Sequence, residues 1–307
     1  MIDITLLGTS ALLPIPQRGT TAAALTCCGH TILFDCGEGT QIAARRYSVS
    51  LLKTDIIALT HYHGDHFFGL PGLLQTVNMG RTEPLYIVGP TGLEEAMEPI
   101  LKLVGPTEYE IRLLTMPEEG IRLCELIKGW PGEARLSAFK TEHRIPSQGY
   151  AFSLGRLGKF QVQKAIELGI PVDCWGILQH GKNVQVGDMT FSPEQVMNEP
   201  RRGLKFVFSG DTTVCDSLIQ AASEADILIC EATYGENEQA QLAAEHGHMT
   251  FAQAAQVAAS ARARCLWLAH YSQIVEEPEI YLPISKAIFE NTVCGTDGMS
   301  VTLKFEK

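Results

Sequence analysis

Short runs of apolar residues recur along the chain and alternate with segments of helical spacing. Continuous apolar runs favour strands that are buried on both faces of a sheet. Such runs occupy residues 2–7, 21–26, 30–35, 55–60, 85–88, 136–140, 205–208, 227–229, 265–268 and 300–304. Helical patterns occupy residues 38–46, 92–103, 214–223 and 250–262, the last with Thr250 as its candidate N-cap. The alternation predicts an α/β fold with helix-covered sheets.

One stretch, residues 155–187, breaks this alternation because Gly, Pro and polar residues interrupt it. We interpret it as an insertion or protruding arm between two better-defined halves. The length of 307 residues would suit two domains on average, but one large α/β sandwich can absorb it. We therefore predict a single domain over residues 1–307 with an arm at about 155–187.

The composition is that of an ordinary globular chain, with 45% hydrophobic and 19% charged residues. Residues 2–7 lack the basic start and long apolar stretch of a signal peptide. Longer apolar stretches are interrupted before the roughly 18 residues that a membrane helix needs. We expect a soluble, cytoplasmic protein without a membrane segment. Its nine scattered cysteines lack a C-x-x-C pair, which favours reduced, mostly buried thiols.

The net charge of −11 argues against broad, non-specific attraction to nucleic acid, because such binding depends on Lys and Arg that neutralise phosphates. It does not exclude a nucleic-acid substrate. Bound metal ions, together with Arg45-Arg46 or Arg201-Arg202, can oppose the global charge at one face.

A dense group of potential metal ligands follows the strand at 55–60. Four of the next six residues are histidine or aspartate: His61, His63, Asp65 and His66. The first two histidines can face one cation, and the Asp–His pair beyond Gly64, where the backbone can bend, can face another. A lone histidine here would most often be a surface residue, but four ligands together predict metal binding. Histidine and carboxylate ligands suit a catalytic site with exchangeable water better than a closed structural site.

Three later strands each lead into one further ligand. The strands at 136–140, 205–208 and 265–268 are followed by His143, Asp211 and His270. Because binding crevices in α/β sheets lie beyond the carboxyl ends of strands, these residues can converge. Seven ligands exceed the needs of one ion, so we predict two divalent ions that share Asp211. The predicted sets are His61, His63 and His143 on one ion, and Asp65, His66 and His270 on the other.

Imidazole and carboxylate ligands fit zinc, manganese or iron, and zinc is our default. Two ions about 3.5–4 Å apart can lower the pKa of a shared water from 15.7 toward roughly 7 and clamp the attacking and leaving oxygens. Asp65 could also accept the proton of that water. The expected chemistry is therefore metal-dependent hydrolysis.

These motifs resemble the metallo-β-lactamase superfamily, whose H-x-H-x-D-H signature is matched by residues 61–66. Within it, the chain is similar nearly end to end to the bacterial ribonuclease Z family, endonucleases that trim the 3′ trailer of precursor tRNA. The stretches that carry this similarity are 7–9, 34–38, 60–66, 69–74, 149–150, 208–212, 231–233 and His248. The resemblance implies an αββα four-layer sandwich with an inserted arm, precursor tRNA as substrate, and a homodimer.

The resemblance also implies roles for two residues outside the ligand set. His248 would protonate the departing ribose oxygen with assistance from Glu231, and neither would bind metal. A leaving alkoxide needs an acid, which gives a histidine near the metals a physical reason. The alternative is that His246 and His248, which both precede Thr250, are solvated loop residues.

Some basic residues of the family are missing. Loop 16–20 retains only Arg18 where the family carries Lys and an Arg-Asn pair, and no Arg follows His270 within the next few residues. The arm matches the family's tRNA-gripping arm in position, but its cations are few: Arg156, Lys159, Lys164 and Lys182. Precursor tRNA is therefore an expectation that rests on the resemblance, whereas the catalytic centre rests on the ligands themselves.

Three alternatives stay open. A phosphodiesterase acting on a small cyclic or organophosphate diester would use the same metal centre. A thioester hydrolase or β-lactamase is less favoured, because the arm and the Glu231–His248 pair resemble the phosphodiesterase branch. A non-catalytic binding protein could use Tyr150, Trp175 and the arm for a partner, but it would have no physical need for seven ligands and a proton donor.

Overall fold

Strands and helices alternate along residues 1–306, which the computed structural model describes. Strands β1 to β16 occupy Ile2–Gly8, Ala22–Cys27, His30–Phe34, Thr54–Ala58, Leu85–Gly89, Ile111–Thr115, Ile121–Arg122, Ala134–Lys140, Gln148–Arg156, Val184–Val186, Met189–Phe191, Arg201–Phe208, Ile227–Glu231, Leu266–Ala269, Thr292–Cys294 and Ser300–Leu303. Helices α1 to α11 occupy Thr40–Arg46, Gly64–Phe67, Leu70–Asn78, Leu93–Val104, Leu123–Leu126, Val162–Glu167, Val172–Gln179, Asp216–Ala221, Ala240–His246, Phe251–Ser260 and Leu282–Lys286. In this part of the chain, no helix combines the length and apolar character needed to cross a bilayer.

Fourteen of the sixteen strands within residues 1–306 build two mixed sheets, and β10 and β11 form a separate two-stranded sheet. Each mixed sheet has seven strands, in the orders β16-β1-β2-β3-β4-β5-β6 and β15-β14-β13-β12-β9-β8-β7. Strands β3 to β6 are parallel, as are β12 to β15, and the other neighbours are antiparallel. The C-terminal β16 pairs with β1, so the end of the chain completes the N-terminal sheet.

The two sheets pack face to face through apolar side chains. The ring of Phe34 on β3 lies 5.2 Å from that of Phe206 on β12 and 5.9 Å from that of Tyr150 on β9, measured between centroids. A second apolar cluster includes residues of α1, α3 and α4 beside the first sheet, and a third includes residues of α8 and α10 beside the second. The predicted four-layer αββα sandwich is therefore confirmed.

Strand β9 and helix α3 are the main elements that the sequence pattern does not predict. Strand β9 carries Gly149, Ser153 and Gly155, which interrupt its apolar run, yet it lies between β8 and β12. A Cβ atom on Gly149 would lie 2.2 Å from the ring of Phe139, so this strand needs a glycine there. Helix α3 has a proline in its first turn, where the missing N–H is tolerated. Tertiary packing thus overrides the local signal in strand β9, whereas helix α3 has its proline at a position that helices tolerate.

The segment predicted as an arm lies between the antiparallel partners β9 and β12. Helices α6 and α7 and the hairpin β10–β11 belong to it, so its ordered elements extend past the predicted end at 187. A separate apolar cluster stabilises it, formed by Ala165, Ile170, Leu178, Val184, Phe191 and Val196. Trp175 packs against this cluster and donates a hydrogen bond of 2.9 Å to the carbonyl of Ile170.

The carboxyl ends of four strands meet at one edge of the sandwich. Strand β4 leads into His61, β8 into His143, β12 into Asp211 and β14 into His270. Because β8 and β12 are both antiparallel to β9, they run in the same direction and end at the same side. The strand directions therefore bring residues that are far apart in sequence to one place.

Candidate metal centre

The seven predicted ligands lie together at this edge and form two groups. In each group, one ligand atom per residue lies within 4.8 Å of the others. The groups are His61, His63, His143 and Asp211, and Asp65, His66 and His270. These are the two sets predicted from the sequence, with Asp211 placed beside the first.

The distances within each group suit coordination of an ion. Nδ1 of His63 lies 3.0 Å from Nε2 of His61 and 3.2 Å from Nε2 of His143. In the other group, Nε2 of His66 lies 3.2 Å from Nε2 of His270. Ligand atoms bound at roughly 2.0–2.1 Å to a tetrahedral zinc ion lie about 3.3 Å apart. The donor atoms are thus spaced as ligands of shared ions would be.

Asp211 lies between the two groups. Its Oδ2 is 3.6 Å from Nε2 of His61 and 3.4 Å from Nε2 of His66, so one oxygen faces both. Its Oδ1 is buried and accepts no hydrogen bond within residues 1–306, although Nε2 of His270 lies 3.2 Å away. Leaving a buried carboxylate oxygen without a partner is costly. A cation at this position would remove that cost, so the residues fit a metal centre.

Four of the histidines are held by hydrogen bonds at Nδ1. The partners are Oγ1 of Thr60 at 3.0 Å for His61, Oδ2 of Asp35 at 2.7 Å for His66, the carbonyl of Gly247 at 2.8 Å for His143, and Oγ1 of Thr233 at 2.9 Å for His270. Nε2 of each ring is the nitrogen that faces the cluster, whereas His63 faces it through Nδ1. Such outer hydrogen bonds fix ring orientation and tautomer in metal sites.

Two threonines connect these histidines to buried carboxylates. Oγ1 of Thr60 donates to Asp35 at 2.9 Å, and Oγ1 of Thr233 donates to Glu231 at 2.7 Å. Sequence reasoning assigned no role to Asp35, Thr60 or Thr233. The available signal was position, because Asp35 directly follows an apolar strand and Thr60 precedes the first ligand. Their contacts with the histidines became apparent only from the packing.

The local electrostatics favour a cation. Burial, reinforced by His66, lowers the pKa of His61 well below its usual value, so this ring is neutral and its lone pair is free. For His66, burial also lowers the pKa, but the carboxylates of Asp211, Asp35 and Asp65 outweigh it and raise that pKa well above the usual value. These carboxylates therefore demand a counter-charge, which a divalent ion can supply in place of the proton.

His248 and Glu231 form an ion pair beside the ligands. Nδ1 of His248 lies 2.9 Å from Oε1 of Glu231, and the histidine side chain is 16% exposed. Burial lowers the pKa of His248, but Glu231 outweighs burial and raises that pKa to about 9. Glu231 is itself held by the N–H of Thr212 at 3.0 Å and the N–H of Met249 at 3.1 Å. The paired, part-buried position does not support the alternative of a solvated loop histidine.

His248 also has a nitrogen within 4.8 Å of ligand atoms of Asp211 and His270. Its Nδ1 is 3.9 Å from Oδ2 of Asp211 but only 2.9 Å from Glu231. Ligation through Nδ1 would break the pair with Glu231. The contacts therefore favour a role for His248 as a proton carrier over a role as an additional ligand.

An open cleft of about 680 Å³ lies over the ligands. Its lining includes the exposed side chains of Leu12, Leu13, Phe68 and Arg144. Sequence reasoning did not single out Arg144, although its position next to His143 was an available signal. This arginine places a positive charge at the rim of the cleft.

Arg18, the basic residue that loop 16–20 retains, is committed elsewhere. It is buried, and its guanidinium donates hydrogen bonds of 3.1 and 3.0 Å to the carbonyl of Val275. The same group lies 5.5 Å from the ring centroid of Tyr271. Arg18 therefore ties the N-terminal loop to the segment after His270 and does not line the cleft.

Comparisons with known proteins agree with this geometry. The family model of the Metallo-beta-lactamase superfamily matches residues 19–232, and the model of the Beta-lactamase superfamily domain matches residues 195–271. The chain is 40% identical over 309 residues to a ribonuclease Z of Lachnospira eligens, which covers 100% of this chain and 99% of that protein. The chain belongs to the ribonuclease Z family. It is also 38% identical over 311 residues to the ribonuclease Z of Clostridium tetani, with both chains covered in full.

Solved structures show the same fold. The short form of human tRNase Z superposes with a TM-score of 0.69 at 27% identity, over 99% of this chain and 100% of that one. A diphosphatase of the PhnP family superposes with a TM-score of 0.66 at 14% identity, over 99% and 98% of the two chains, which shows the fold alone. The family resemblance expected from the motifs is confirmed.

Proposed function

We propose that the chain is a metal-dependent endoribonuclease that removes the 3′ trailer of precursor tRNA by hydrolysing one phosphodiester bond. The observation that carries the proposal is the pairing of a buried histidine–carboxylate cluster with the adjacent ion pair of His248 and Glu231. Membership of the ribonuclease Z family supports RNA as the substrate, and similarity to human tRNase Z supports tRNA.

The cluster would hold two divalent ions, with Asp211 between them, and we propose zinc with manganese and iron as alternatives. The proposed ligands are His61, His63, Asp65, His66, His143, Asp211 and His270. When bound, the ions supply positive charge that polarises the phosphodiester and lowers the pKa of a water molecule. The backbone N–H of Leu12 donates to Oδ2 of Asp65 at 2.7 Å, so Asp65 is held in place to accept the proton of the attacking water.

His248 would act as the general acid. Because Glu231 binds Nδ1, the other nitrogen, Nε2, is the one that can carry a proton to the departing ribose oxygen. Glu231 stabilises the protonated ring and thereby keeps the acid charged before the bond breaks. Its own hydrogen bonds to Thr212, Thr233 and Met249 prevent it from turning away.

A small phosphodiester is the second candidate substrate. Two observations favour it: Arg18 does not reach the cleft, and the arm carries few cations. A non-catalytic role for Tyr150 at a partner surface is disfavoured, because this side chain is fully buried and donates to the carbonyl of Leu59 at 2.7 Å. The homodimer, the cytoplasmic location and the single-domain organisation stay predictions.

The test is incubation of the metal-loaded protein with a precursor tRNA and, separately, with bis-p-nitrophenyl phosphate. Release of an intact 3′ trailer from the precursor supports the proposal. Hydrolysis of the small diester alone would favour the second candidate. Asp211→Ala serves as the control, because it removes the shared ligand, and activity that survives this change would indicate a contaminating nuclease.

A further inference from the structure

We infer that Leu12, Leu13 and Phe68 form an apolar wall that binds the base of the nucleotide next to the scissile phosphate. The inference rests on the proposed function and deepens it. It assigns a substrate contact that does not depend on Lys or Arg, of which this chain has few at the expected positions.

The first observation is backbone strain at Leu12. This residue has a φ of 64°, and the N–H of Leu13 donates to the carbonyl of Ala11 at 2.7 Å. A turn of this kind, with positive φ at its central residue, is rare and strained. Strained residues persist only where their surroundings hold them, and they cluster at functional sites.

Neighbouring groups hold the turn from several sides. The hydroxyl of Ser10 donates to the carbonyl of Leu13 at 2.7 Å, and the N–H of Ala11 donates to the carbonyl of Tyr271 at 2.9 Å. The N–H of Leu12 is used by Asp65. The Leu12 side chain is 71% exposed and lines the cleft, so the strained turn presents an apolar group to the substrate space.

The second observation is that two further apolar groups border the same cleft. Leu13 is 50% exposed and Phe68 is 66% exposed, and both line it. Phe68 is positioned by close packing on Gly64, where an added Cβ would lie 2.4 Å from the ring. Single exposed apolar residues are ordinary. Here three exposed apolar side chains line one cleft. The strained turn places Leu12 and the contact with Gly64 places Phe68, so together they indicate a binding surface.

The chemistry of the substrate identifies what this surface binds. Within a nucleotide, the proposed metal ions would bind the phosphate and the sugar is polar, so the base is the part with apolar faces. Unpaired RNA bases stack on aromatic and apolar side chains, and such contacts tolerate any base. The apolar wall therefore adds affinity for single-stranded RNA beside the cleavage point without requiring more cations.

The experiment combines protein variants with substrate variants. Leu12→Gly retains the N–H that Asp65 accepts and relieves the strain, but it removes the side chain. Leu12→Asn keeps a side chain that tolerates positive φ but is polar. Each is assayed on a precursor tRNA and on the same RNA with an abasic nucleotide on the 5′ or the 3′ side of the scissile bond.

We expect both variants to reduce kcat/KM on the natural RNA about tenfold, within the range for one stacked base. On one of the two abasic RNAs, wild type and variants should be equal, because the base that the wall binds is missing. Ser48→Gly is the matched control: Ser48 also has a positive φ, 61°, and is exposed, but it does not line the cleft. It should cleave all three RNAs as wild type does.

Two results would overturn the inference. One is a loss of activity that is equal on all three RNAs. Native mass spectrometry of the same variants then measures their oligomeric state, and a changed state would assign the leucines to an interface between copies. The other is full activity of both variants on the natural RNA. Failure of the wild type to cleave any precursor tRNA would instead overturn the proposed function, and the wall with it.

Discussion

At the scale of single residues, Asp211 is where the two halves of the ligand cluster meet. One of its oxygens faces histidines from both groups, and the other is buried without a hydrogen bond from residues 1–306. Asp65 differs, because Oδ2 accepts from the N–H of Leu12 and faces only the second group. The two aspartates should therefore respond differently to substitution.

We expect Asp211→Ala to impair both metal positions and Asp65→Ala to affect mainly the second, because of these two aspartates Asp211 alone faces histidines of both groups. Metal analysis of purified, reloaded variants measures this directly. Full two-metal content in Asp211→Ala would contradict a shared ligand. Loss of activity alone would not discriminate between the two variants, so the metal count decides.

His248→Ala should reduce turnover by roughly 10²–10⁴-fold, the usual scale for loss of a general acid, while metal content stays unchanged. The loss should be large for RNA and small for a substrate that releases p-nitrophenolate, since this leaving group hardly needs a proton. Equal losses on both substrates would argue against the acid role. A drop in metal content would instead make His248 a ligand.

Arg144→Gln should raise KM for RNA with little change in kcat, because the arginine lies at the rim of the cleft and not among the ligands. The slope of log KM against log salt should fall by about 0.7–0.9 for one lost phosphate contact. The control is Arg262→Gln, which removes an exposed arginine paired with Glu224 at 2.9 Å and outside the cleft lining. An unchanged salt slope in Arg144→Gln would exclude the contact.

At the scale of elements, the segment predicted as an arm has features that would allow its removal. Its apolar cluster is distinct from the three clusters of the sandwich, and it is inserted between neighbouring strands. Arg156 on β9 and Arg201 on β12 are register partners, so a short hairpin turn can replace residues 157–200. The sandwich can therefore be tested without the arm and without disturbing the sheet.

This deletion should spare hydrolysis of bis-p-nitrophenyl phosphate and weaken cleavage of precursor tRNA. A tRNA is far larger than the cleft, so its affinity must come from distant contacts, and the arm is the element available for them. Measuring both substrates separates a loss of tRNA binding, which affects only the tRNA, from damage to the fold, which affects both. If tRNA cleavage is unchanged, the contacts that bind the tRNA lie on another surface of the molecule.

At the scale of the whole molecule, the ligands join segments that lead from both sheets. His61 follows a strand of the first sheet, whereas His143, Asp211 and His270 follow strands of the second. An ion that binds all of these residues would bind the folded state in preference to the unfolded one, because the unfolded chain does not hold the distant residues together. Metal binding is therefore expected to stabilise the sandwich as a unit.

We expect calorimetry to show a higher Tm for the metal-loaded chain than for the chelated one. The sign follows from linkage: a ligand of the native state adds RT ln(1 + [L]/Kd), about 2.7 kcal/mol at a hundredfold excess over Kd. In Asp211→Ala the increment should shrink, because both positions are impaired. An identical Tm with and without metal would show that the ions do not bind this native state.

Much of the fold and of the histidine–aspartate cluster could be predicted from the sequence, because both leave local signals. Buried strands appear as continuous apolar runs, and His61, His63, Asp65 and His66 lie within six residues. Strand β9 left a weak signal, since Gly149 serves a tertiary contact with Phe139 and not a local preference. The segment predicted as an arm was marked by its irregular composition, but the bounds of its ordered elements depend on an apolar cluster that has no sequence period.

Sequence by itself determined which residue types could hold metal, since ligand chemistry depends on side-chain identity and on spacing along a short turn. Only the tertiary structure decided what each polar group contacts. It tied Arg18 to the carbonyl of Val275, set Asp35 behind His66, and brought the N–H of Leu12 to Asp65. These contacts join residues 31 to 257 positions apart, and such partners are selected by packing and strand direction, which leave no pattern in the neighbouring sequence.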